Sequence, residues 1–404
     1  MKLPGPFAIF TALICGAFAA HAQELEPVLP GRLTLFRPLT GVYEGFVTDF
    51  PLRASVSTSI GYDDNVLTSH DHRIGSGYDY AGLEVASRIG AERTRLTGDL
   101  QLGLIGYWNR PGRVIDPDIL FDLTFSHHFT PRLVIGFSSF STYQAQPDFI
   151  LGVGRVNTSG IYLFTSNSLA LGYQWTPRFA TATSYTLNAL YYQNSTAGTT
   201  QNRLEHIVGQ QFRFLVLPTI TAVAEYRFGY EQYLSTNLDS YSHFVLGGAD
   251  LMLSPRFQFT FRAGIEIRNN LFNGAGTQIY PDFESTLTYA YHPASYIQWY
   301  NHFGLQQSDI DTANSEKIYQ TGLRVLHSFG GKLKLGGGIY YSYKNYPQGP
   351  SSDENDLDAS ITASYLITRS FSLQAGYTFT RVFSGINLQD YYRNRTFLGA
   401  SYSF

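Results

Sequence analysis

The sequence predicts an all-β fold: a transmembrane, antiparallel, up-and-down β-barrel of about 18 strands, with short periplasmic turns and longer extracellular loops. Three observations predict it. From Leu52 onward, apolar and polar residues alternate with a period of two, as in strands that have one apolar face. The connections between these segments alternate between short and long. Charged residues make up only 15% of the chain, whereas aromatic residues make up 16%.

Composition narrows the class of protein further. The chain has 404 residues, a formal net charge of −3 and 44% hydrophobic residues, which argues against a disordered protein. Its near-zero charge argues against nucleic acid as a partner, because nucleic-acid-binding surfaces need an excess of basic residues. The single cysteine excludes a disulfide framework and a thiolate zinc site.

The first residues of the chain are typical of an export signal. A lysine precedes a short apolar run at 7–20, and Ala20-His21-Ala22 has the small–any–small pattern of a cleavage site. We therefore predict a signal peptide at 1–22, a periplasmic N-terminal segment at 23–51 and the barrel at 52–404. The alternative for the first segment is a buried helix. No later stretch reaches the roughly 18 apolar residues that a membrane helix needs.

The alternation is clear in the segment 257–268. Phe257, Phe259 and Ile265 share one face of the predicted strand, and Arg262 belongs to the other face. Such segments are longer than the five or six residues typical of soluble sheets and suit tilted strands that cross a bilayer. We expect strands near 52–62, 78–90, 94–108, 118–129, 133–143, 161–175, 179–192, 204–215, 220–231, 241–252, 257–268, 281–291, 296–305, 318–327, 333–343, 355–366, 371–381 and 391–404.

The predicted connections have a repeating pattern. A Ser/Thr-Pro-Arg turn occurs at 130–132, 176–178 and 254–256, where proline fixes φ and needs no partner for an N–H. Longer polar loops, such as 63–77 and 144–160, alternate with the short turns. We predict eight short turns and nine long loops, with both termini on the periplasmic side.

A soluble propeller or solenoid is the alternative for many evenly spaced strands. The aromatic residues favour the membrane barrel, because they gather near strand ends, where membrane barrels have aromatic girdles. Examples are Phe121, Phe125, Phe129, Tyr173 and Trp175.

Two short motifs carry a family resemblance. The chain ends in Tyr402-Ser403-Phe404, which resembles the terminal signal read by the outer-membrane barrel assembly machinery. The turn Tyr62-Asp63-Asp64-Asn65-Val66 after the first strand resembles the putative beta-barrel porin family, some of whose members accompany exopolysaccharide secretion loci. The resemblance implies a pore-like or export role in the outer membrane. The implied partners are outer-membrane lipid, the assembly machinery and periplasmic polysaccharide-export components.

Charged residues within the strands are expected to face the lumen, because a basic side chain on the lipid face costs about 2–4 kcal/mol at the midplane. They would form either a hydrated wall of ion pairs or a charged constriction that orients solutes. The pore-lining candidates are Arg95, Asp99, Asp122, Glu225, Arg227, Arg262, Glu266, Arg268, Asp282, Glu284, Asp356, Asp358, Arg393 and Arg395.

The constriction hypothesis places an acidic zone near the outer mouth with arginines opposite it: Asp282, Glu284, Asp356 and Asp358 against Arg393 and Arg395. Several tyrosines also have the lumen parity, where they would stack against sugars or fill the wall. They are Tyr107, Tyr162, Tyr192, Tyr300 and Tyr340.

Catalytic motifs are not found in the sequence, which has no G-x-S-x-G elbow and no phosphate-binding loop. His70, Asp71 and His72 offer metal ligands in the first loop, but such polar loop residues are more often solvated. We expect no enzyme, no cofactor and no catalytic or metal site. The predicted function is a channel for hydrophilic solutes, with exopolysaccharide export as a narrower form. The alternatives are a closed structural or adhesion barrel and, less favoured, a surface hydrolase.

Overall fold

The computed structural model describes residues 52–90, 93–145, 161–193, 202–271, 276–292, 294–307, 315–346, 353–385 and 390–404. The predicted signal peptide at 1–22 and the predicted periplasmic segment at 23–51 lie outside these residues. No helix within the described ranges is long and apolar enough to cross a membrane.

The described residues form 18 strands in chain order. They are β1 (Leu52–Asp63), β2 (Ser76–Gly90), β3 (Thr94–Tyr107), β4 (Ile115–Thr130), β5 (Leu133–Gln144), β6 (Ile161–Gln174), β7 (Phe179–Gln193), β8 (Arg203–Leu217), β9 (Ile220–Tyr233), β10 (Ser240–Ser254), β11 (Phe257–Asn270), β12 (Thr277–His292), β13 (Ser295–Gln307), β14 (Ser315–Phe329), β15 (Leu333–Asn345), β16 (Asp353–Leu366), β17 (Phe371–Ser384) and β18 (Tyr391–Ser403).

These strands form one closed antiparallel sheet. Each strand pairs with its neighbours in sequence, and β1 also pairs with β18, from Ser55 opposite Ser403 to Asp63 opposite Arg395. Closure leaves no edge strand, so the backbone groups of every strand have partners without water, as a bilayer demands. The predicted fold class, an up-and-down barrel of 18 strands, is confirmed.

The connections alternate as the sequence predicts. Eight of them have two to four residues and lie at one end of the barrel, here called the short-turn end, while nine have six to sixteen residues and lie at the long-loop end. In the recurring Ser/Thr-Pro-Arg turn, the hydroxyl accepts backbone hydrogen bonds. Thr176 Oγ1 accepts from the N–H groups of Arg178 (3.3 Å) and Phe179 (3.0 Å), and Ser254 Oγ accepts from Arg256 (3.3 Å). These bonds satisfy N–H groups where the chain leaves the ladder.

Two prolines lie inside strands, one just before and one at the first residue of a predicted strand. Pro117 is within β4 and Pro281 is within β12. Each is paired on one side only: β4 first pairs with β5 at Asp118, and β12 first pairs with β13 at Phe283. A proline is tolerated there because its missing N–H faces no neighbouring strand.

The outer face is apolar along most of the sheet. Ile60, Leu104 and Leu398 alternate with buried residues on their strands and are more than half exposed, as expected for lipid contact. Large exposed aromatic side chains, including Trp108, Phe129, Trp175, Tyr402 and Phe404, lie at or near strand ends. This distribution is that of the aromatic girdles of membrane barrels.

Candidate functional site

The interior face is identified by contacts between strands that are not neighbours. Arg227 on β9 donates two hydrogen bonds to Glu284 on β12, from Nη1 to Oε1 (2.8 Å) and from Nη2 to Oε2 (3.2 Å). Two strands lie between β9 and β12. Side chains can bridge such a gap only on the concave side of a curved sheet, so this face lines the interior.

Strands β8 to β13 carry a continuous set of ionisable side chains on this face, which we call the charged wall. All of its members face the interior. Most of them form ion pairs with one another, and the others line one cavity together with the paired residues. They are Arg203, Glu205, Arg213, Glu225, Arg227, Glu231, Asp250, Arg262, Glu266, Arg268, Asp282, Glu284 and His302.

Asp250 is the centre of the charged wall toward the short-turn end. Its carboxylate forms an ion pair with Arg213 on β8 and another with Arg262 on β11, where Nη1 and Oδ1 are 2.8 Å apart. Arg262 Nε also lies 3.4 Å from Glu225 Oε2 on β9. One carboxylate is thus shared by guanidinium groups from both sides, which compensates the cost of burying the charges.

Toward the long-loop end, each arginine contacts a carboxylate close by. Arg227 Nε donates to Glu225 Oε1 (2.7 Å), two residues away on the same strand. Arg268 Nε donates to Glu266 Oε1 (2.7 Å), which also accepts from Ser242 Oγ (2.6 Å). These charge-assisted hydrogen bonds fix the position of each guanidinium group along the barrel axis.

A cavity of about 180 Å³ lies against this part of the charged wall. Four carboxylates, three guanidinium groups and His302 contribute to its lining. Phe164 and Leu190, from β6 and β7, contribute apolar surface. The cavity therefore offers charged groups of both signs beside an apolar surface, which suits a small hydrophilic or amphipathic solute.

A different surface lines the interior on β4 to β7, which we call the apolar wall. Its buried members are Leu120, Phe140, Tyr162, Phe164, Leu190 and Tyr192. The ring centroids of Phe140 and Phe164 are 6.2 Å apart, and those of Tyr162 and Tyr192 are 5.8 Å apart.

Polar groups lie on the outer face behind the apolar wall. Ser139 Oγ donates to Asn167 Oδ1 (2.7 Å), and Ser141 and Thr165 share a hydroxyl–hydroxyl bond of 2.8 Å. Asn167 and Thr165 alternate with interior residues and lie between the exposed Leu163 and Leu169. The outer face of β5 and β6 is therefore not apolar throughout. Mutual hydrogen bonds make these outward polar groups tolerable in an apolar medium.

The chain resembles one known family of β-barrel proteins over part of its length. Residues 282–404 match the family described as Putative beta-barrel porin 2, which confirms the predicted resemblance over those residues. Over these residues the chain resembles that family, and its described residues form one closed antiparallel barrel. No curated protein sequence matches it.

Three solved structures are similar to this barrel. OccAB4 from Acinetobacter baumannii has 11% identity and a TM-score of 0.42, over 88% of this chain and 99% of that chain. The BenF-like porin from Pseudomonas fluorescens Pf-5 has 10% identity and a TM-score of 0.43, over 89% and 100%. The outer membrane protein OpdK from Pseudomonas aeruginosa has 10% identity and a TM-score of 0.43, over 87% and 99%.

The structure brings many of the predicted pore-lining residues together in the porin-like barrel. Seven of them belong to the charged wall: Glu225, Arg227, Arg262, Glu266, Arg268, Asp282 and Glu284. Arg95, Asp99 and Asp122 lie elsewhere, on β3 and β4. Asp99 is directly opposite Asp122 in the register of those strands, and Arg95 is exposed toward the short-turn end.

The expected acidic zone is divided among local partners. Asp356 lies 3.5 Å from Lys344 Nζ, and Asp358 accepts from Thr380 Oγ1 (3.0 Å). Arg393 contacts a carboxylate outside that zone, because its Nε donates to both carboxylate oxygens of Asp63 (3.1 and 3.0 Å).

Arg395 belongs to the same cluster as Arg393, since its Nε lies 3.5 Å from Asp63 Oδ2. The tyrosines expected in the lumen are mostly packed. Tyr107, Tyr162, Tyr192 and Tyr340 are buried, so they fill the interior surface rather than forming open stacking platforms.

Several interior residues were missed by the sequence analysis, and four of them illustrate why. Asp63, Lys344 and Glu354 each lie one residue beyond a predicted strand end, and all three are buried in ion pairs. Continuing the alternation by one residue would have found them. His302 lies within a predicted strand at the interior parity, but histidines were not counted among the candidates there.

Proposed function

We propose that the barrel forms a passage for hydrophilic solutes across the outer membrane. The observation that supports it best is the charged wall around the 180 Å³ cavity, in the interior of a barrel of 18 strands. Barrels of this size are wide enough for an aqueous channel. An interior that only needed to be filled would not require a ladder of ion-paired arginines and carboxylates.

The arrangement of charges determines which solutes are favoured. Arginines and carboxylates alternate along the charged wall within about one side-chain length, so the net field is small and ion selectivity is weak. A solute that carries both hydrogen-bond donors and acceptors can exchange partners with successive ion pairs as it moves. Hydroxyl-rich and zwitterionic solutes meet this requirement.

Exopolysaccharide export is the narrower form of this proposal. It is supported by the family resemblance, and it includes export through a signal peptide at 1–22 and docking of periplasmic polysaccharide-export components on 23–51. The partners would also include outer-membrane lipid and the barrel assembly machinery, which would read the terminal Phe404. The narrower form requires sugars to enter the interior.

A closed structural or adhesion barrel is the second candidate. It is favoured by the number of large interior side chains that are buried, among them Tyr78, Ile105, Tyr192 and Tyr340. A barrel of this kind would not conduct ions. The two candidates therefore differ in one measurable property.

Conductance of the purified chain in planar bilayers tests the proposal. A channel gives discrete current steps that oligosaccharides reduce, whereas current equal to that of empty bilayers would favour the closed barrel. Arg227→Gln removes a positive group from the cavity and shifts the reversal potential in a salt gradient toward cation preference. Arg256→Gln, in an exposed short turn, is the matched control and leaves the reversal potential unchanged. Block by oligosaccharides but not by salts of equal osmolarity would support export of polysaccharide.

A further inference from the structure

One corner of the charged wall combines an imidazole with two carboxylates. Asp282 and Glu284 lie on β12, and His302 on β13 is directly opposite Glu284 in the register. One ligand atom from each of the three residues can be chosen so that all lie within 4.8 Å of one another. These side chains share the interior face, and all three contribute to the lining of the 180 Å³ cavity.

Asp282 has an unsatisfied oxygen at this corner. The residue is only 3% exposed, and its buried Oδ1 accepts no hydrogen bond within the described part of the chain. Its Oδ2 is 3.8 Å from His302 Nε2, which is too long for a hydrogen bond. A buried carboxylate oxygen without a partner is costly, so the site is short of one positive group.

The surroundings leave space for this carboxylate. Gly304 follows two residues after His302 on the same face of β13, and a Cβ at this glycine would lie 2.8 Å from Asp282 Oδ2. Any larger residue would displace the carboxylate from its position beside the imidazole. The glycine therefore permits the close approach of the two ligand-type groups.

Arg227 orients the carboxylate of Glu284 and leaves it able to bind a further group. Its two hydrogen bonds occupy one lone pair on each oxygen of Glu284, and a second lone pair remains on each. The charge of Arg227 is itself compensated by Glu225. Such second-layer hydrogen bonds commonly orient carboxylates that bind metal ions.

We propose that Asp282, Glu284 and His302 bind a divalent first-row transition ion, for which Zn²⁺ is the probe. Zinc accepts imidazole nitrogen and carboxylate oxygen at about 2.0–2.2 Å, so tetrahedral ligand atoms lie roughly 3.4 Å apart. The three ligand atoms, which lie within 4.8 Å of one another, reach this geometry when their separations shorten by up to about 1.4 Å. Imidazole favours zinc, copper or nickel over magnesium and calcium. The fourth ligand position faces the cavity, where water or a solute would complete the site.

Zinc binding to the full, untagged chain in detergent tests this proposal directly. Equilibrium dialysis at submicromolar free Zn²⁺ is expected to give one bound ion per chain. Asp282→Asn and His302→Gln are each expected to weaken binding at least about tenfold. The matched controls are Asp358→Asn, an interior carboxylate on β16, and His327→Gln, a histidine on β14 that stacks on Tyr291. Both controls keep the affinity of the unaltered chain.

Zinc K-edge absorption of the loaded protein gives a second readout, with one imidazole and otherwise oxygen ligands expected. Heat-modifiable migration on gels confirms that each variant is folded, and Glu284→Gln provides a third ligand variant if one of the others fails to fold. Equal zinc content in the ligand variants and the controls would overturn the proposal, as would a spectrum without imidazole. Because binding is measured without conductance, this test does not depend on the channel proposal.

Discussion

The charged wall on β8–β13 and the apolar wall on β4–β7 line the same interior, but different forces hold them. The apolar wall buries rings and aliphatic groups against one another, and its stability derives from removing apolar surface from water. The charged wall buries ionised groups whose desolvation must be offset by exact pairing. The apolar wall is thus expected to tolerate substitutions that alter the shape of a side chain. The charged wall is expected to tolerate few substitutions that alter charge.

Polar groups occur on the outer face behind both walls. Behind the charged wall, the outer residues of β11 are the apolar Phe259, Phe261 and Ile265. On the same outer face, however, Asn301 Nδ2 on β13 donates to Ser285 Oγ on β12 (3.1 Å). Behind the apolar wall, Ser139 and Asn167 form a hydrogen bond on the outer face. The polarity of a strand face therefore depends on its position around the barrel, and alternation alone does not determine which face meets lipid.

The largest expected effect comes from breaking the charged wall at Asp250. Asp250→Ala removes the carboxylate shared by Arg213 and Arg262, and we expect the free energy of unfolding to fall by about 3–5 kcal/mol. The protein is folded in lipid vesicles and unfolded with guanidinium chloride as denaturant. Tryptophan fluorescence follows the unfolding and gives the loss of free energy. Asp353→Ala, at an exposed strand end, is the control and should cost less than about 1 kcal/mol. Equal losses for the two variants would remove the distinction between the walls.

Truncation within the apolar wall comes next. Phe140→Ala should lower the free energy of unfolding by about 3 kcal/mol, because it leaves a cavity beside Phe164. Phe140→Leu, which retains most of the volume, should cost about 1 kcal/mol. If the walls have separate roles, neither variant changes the reversal potential in planar bilayers. A shift as large as that of Arg227→Gln would mean that the apolar wall also sets the ion selectivity.

A smaller effect is expected on the outer face of the apolar wall. Asn167→Leu exchanges a polar group for one that suits lipid but removes the acceptor of the Ser139 hydroxyl. We expect a net loss of about 1 kcal/mol, because the unpaired hydroxyl costs slightly more than the added apolar group contributes. The double variant with Ser139→Ala should recover most of this loss. Failure of the second substitution to restore stability would show that the hydrogen bond does not account for the polar outer patch.

The smallest effect concerns a feature that both walls share. Thr176 caps the turn below the apolar wall, between β6 and β7, and Ser254 caps the turn below the charged wall, between β10 and β11. Replacing either by alanine should lower the free energy of unfolding by about 0.5–1 kcal/mol for each exposed hydrogen bond that is removed. Vesicle unfolding titrations should therefore give a larger loss for Thr176→Ala, which removes two bonds, than for Ser254→Ala, which removes one. A larger loss for the Ser254 variant would contradict this account of the turns.

The strands of this barrel were predictable because each repeats a local rule. Alternation placed all 18 strands, and the errors were short extensions, as at Pro117 and Pro281, where pairing on one side only admits a proline. The apolar wall was predicted only in part: Tyr162 and Tyr192 were assigned to the interior, whereas Leu120, Phe140, Phe164 and Leu190 have the composition of a lipid-facing surface. Which face they occupy depends on the neighbouring strands.

The site was predictable as a set of residues but not as a set of pairs. Alternation assigns Arg227 and Glu284 to the interior, yet they contact each other across two intervening strands. That contact depends on the curvature of the closed sheet and on how far the strands are offset from one another along the barrel axis. Neither can be predicted from a local sequence pattern. Asp282 and His302 are brought together by the register of β12 on β13 for the same reason.

The seam between β1 and β18 has a consequence for how the barrel forms. At one end of the seam Asp63 binds Arg393, a contact between residues 330 positions apart in the chain, and at the other the Phe404 N–H donates to Ala54 O (2.8 Å). Every other pair of neighbouring strands is adjacent in sequence and can form as a hairpin. Because β1 and β18 lie at opposite ends of the barrel sequence, their pairing has the largest loop-closure cost of all the strand pairs, and we expect it to be the slowest step of folding. Until the seam closes, β1 and β18 are open edges with which other chains can pair, and the contacts at its two ends would stabilise the closed form.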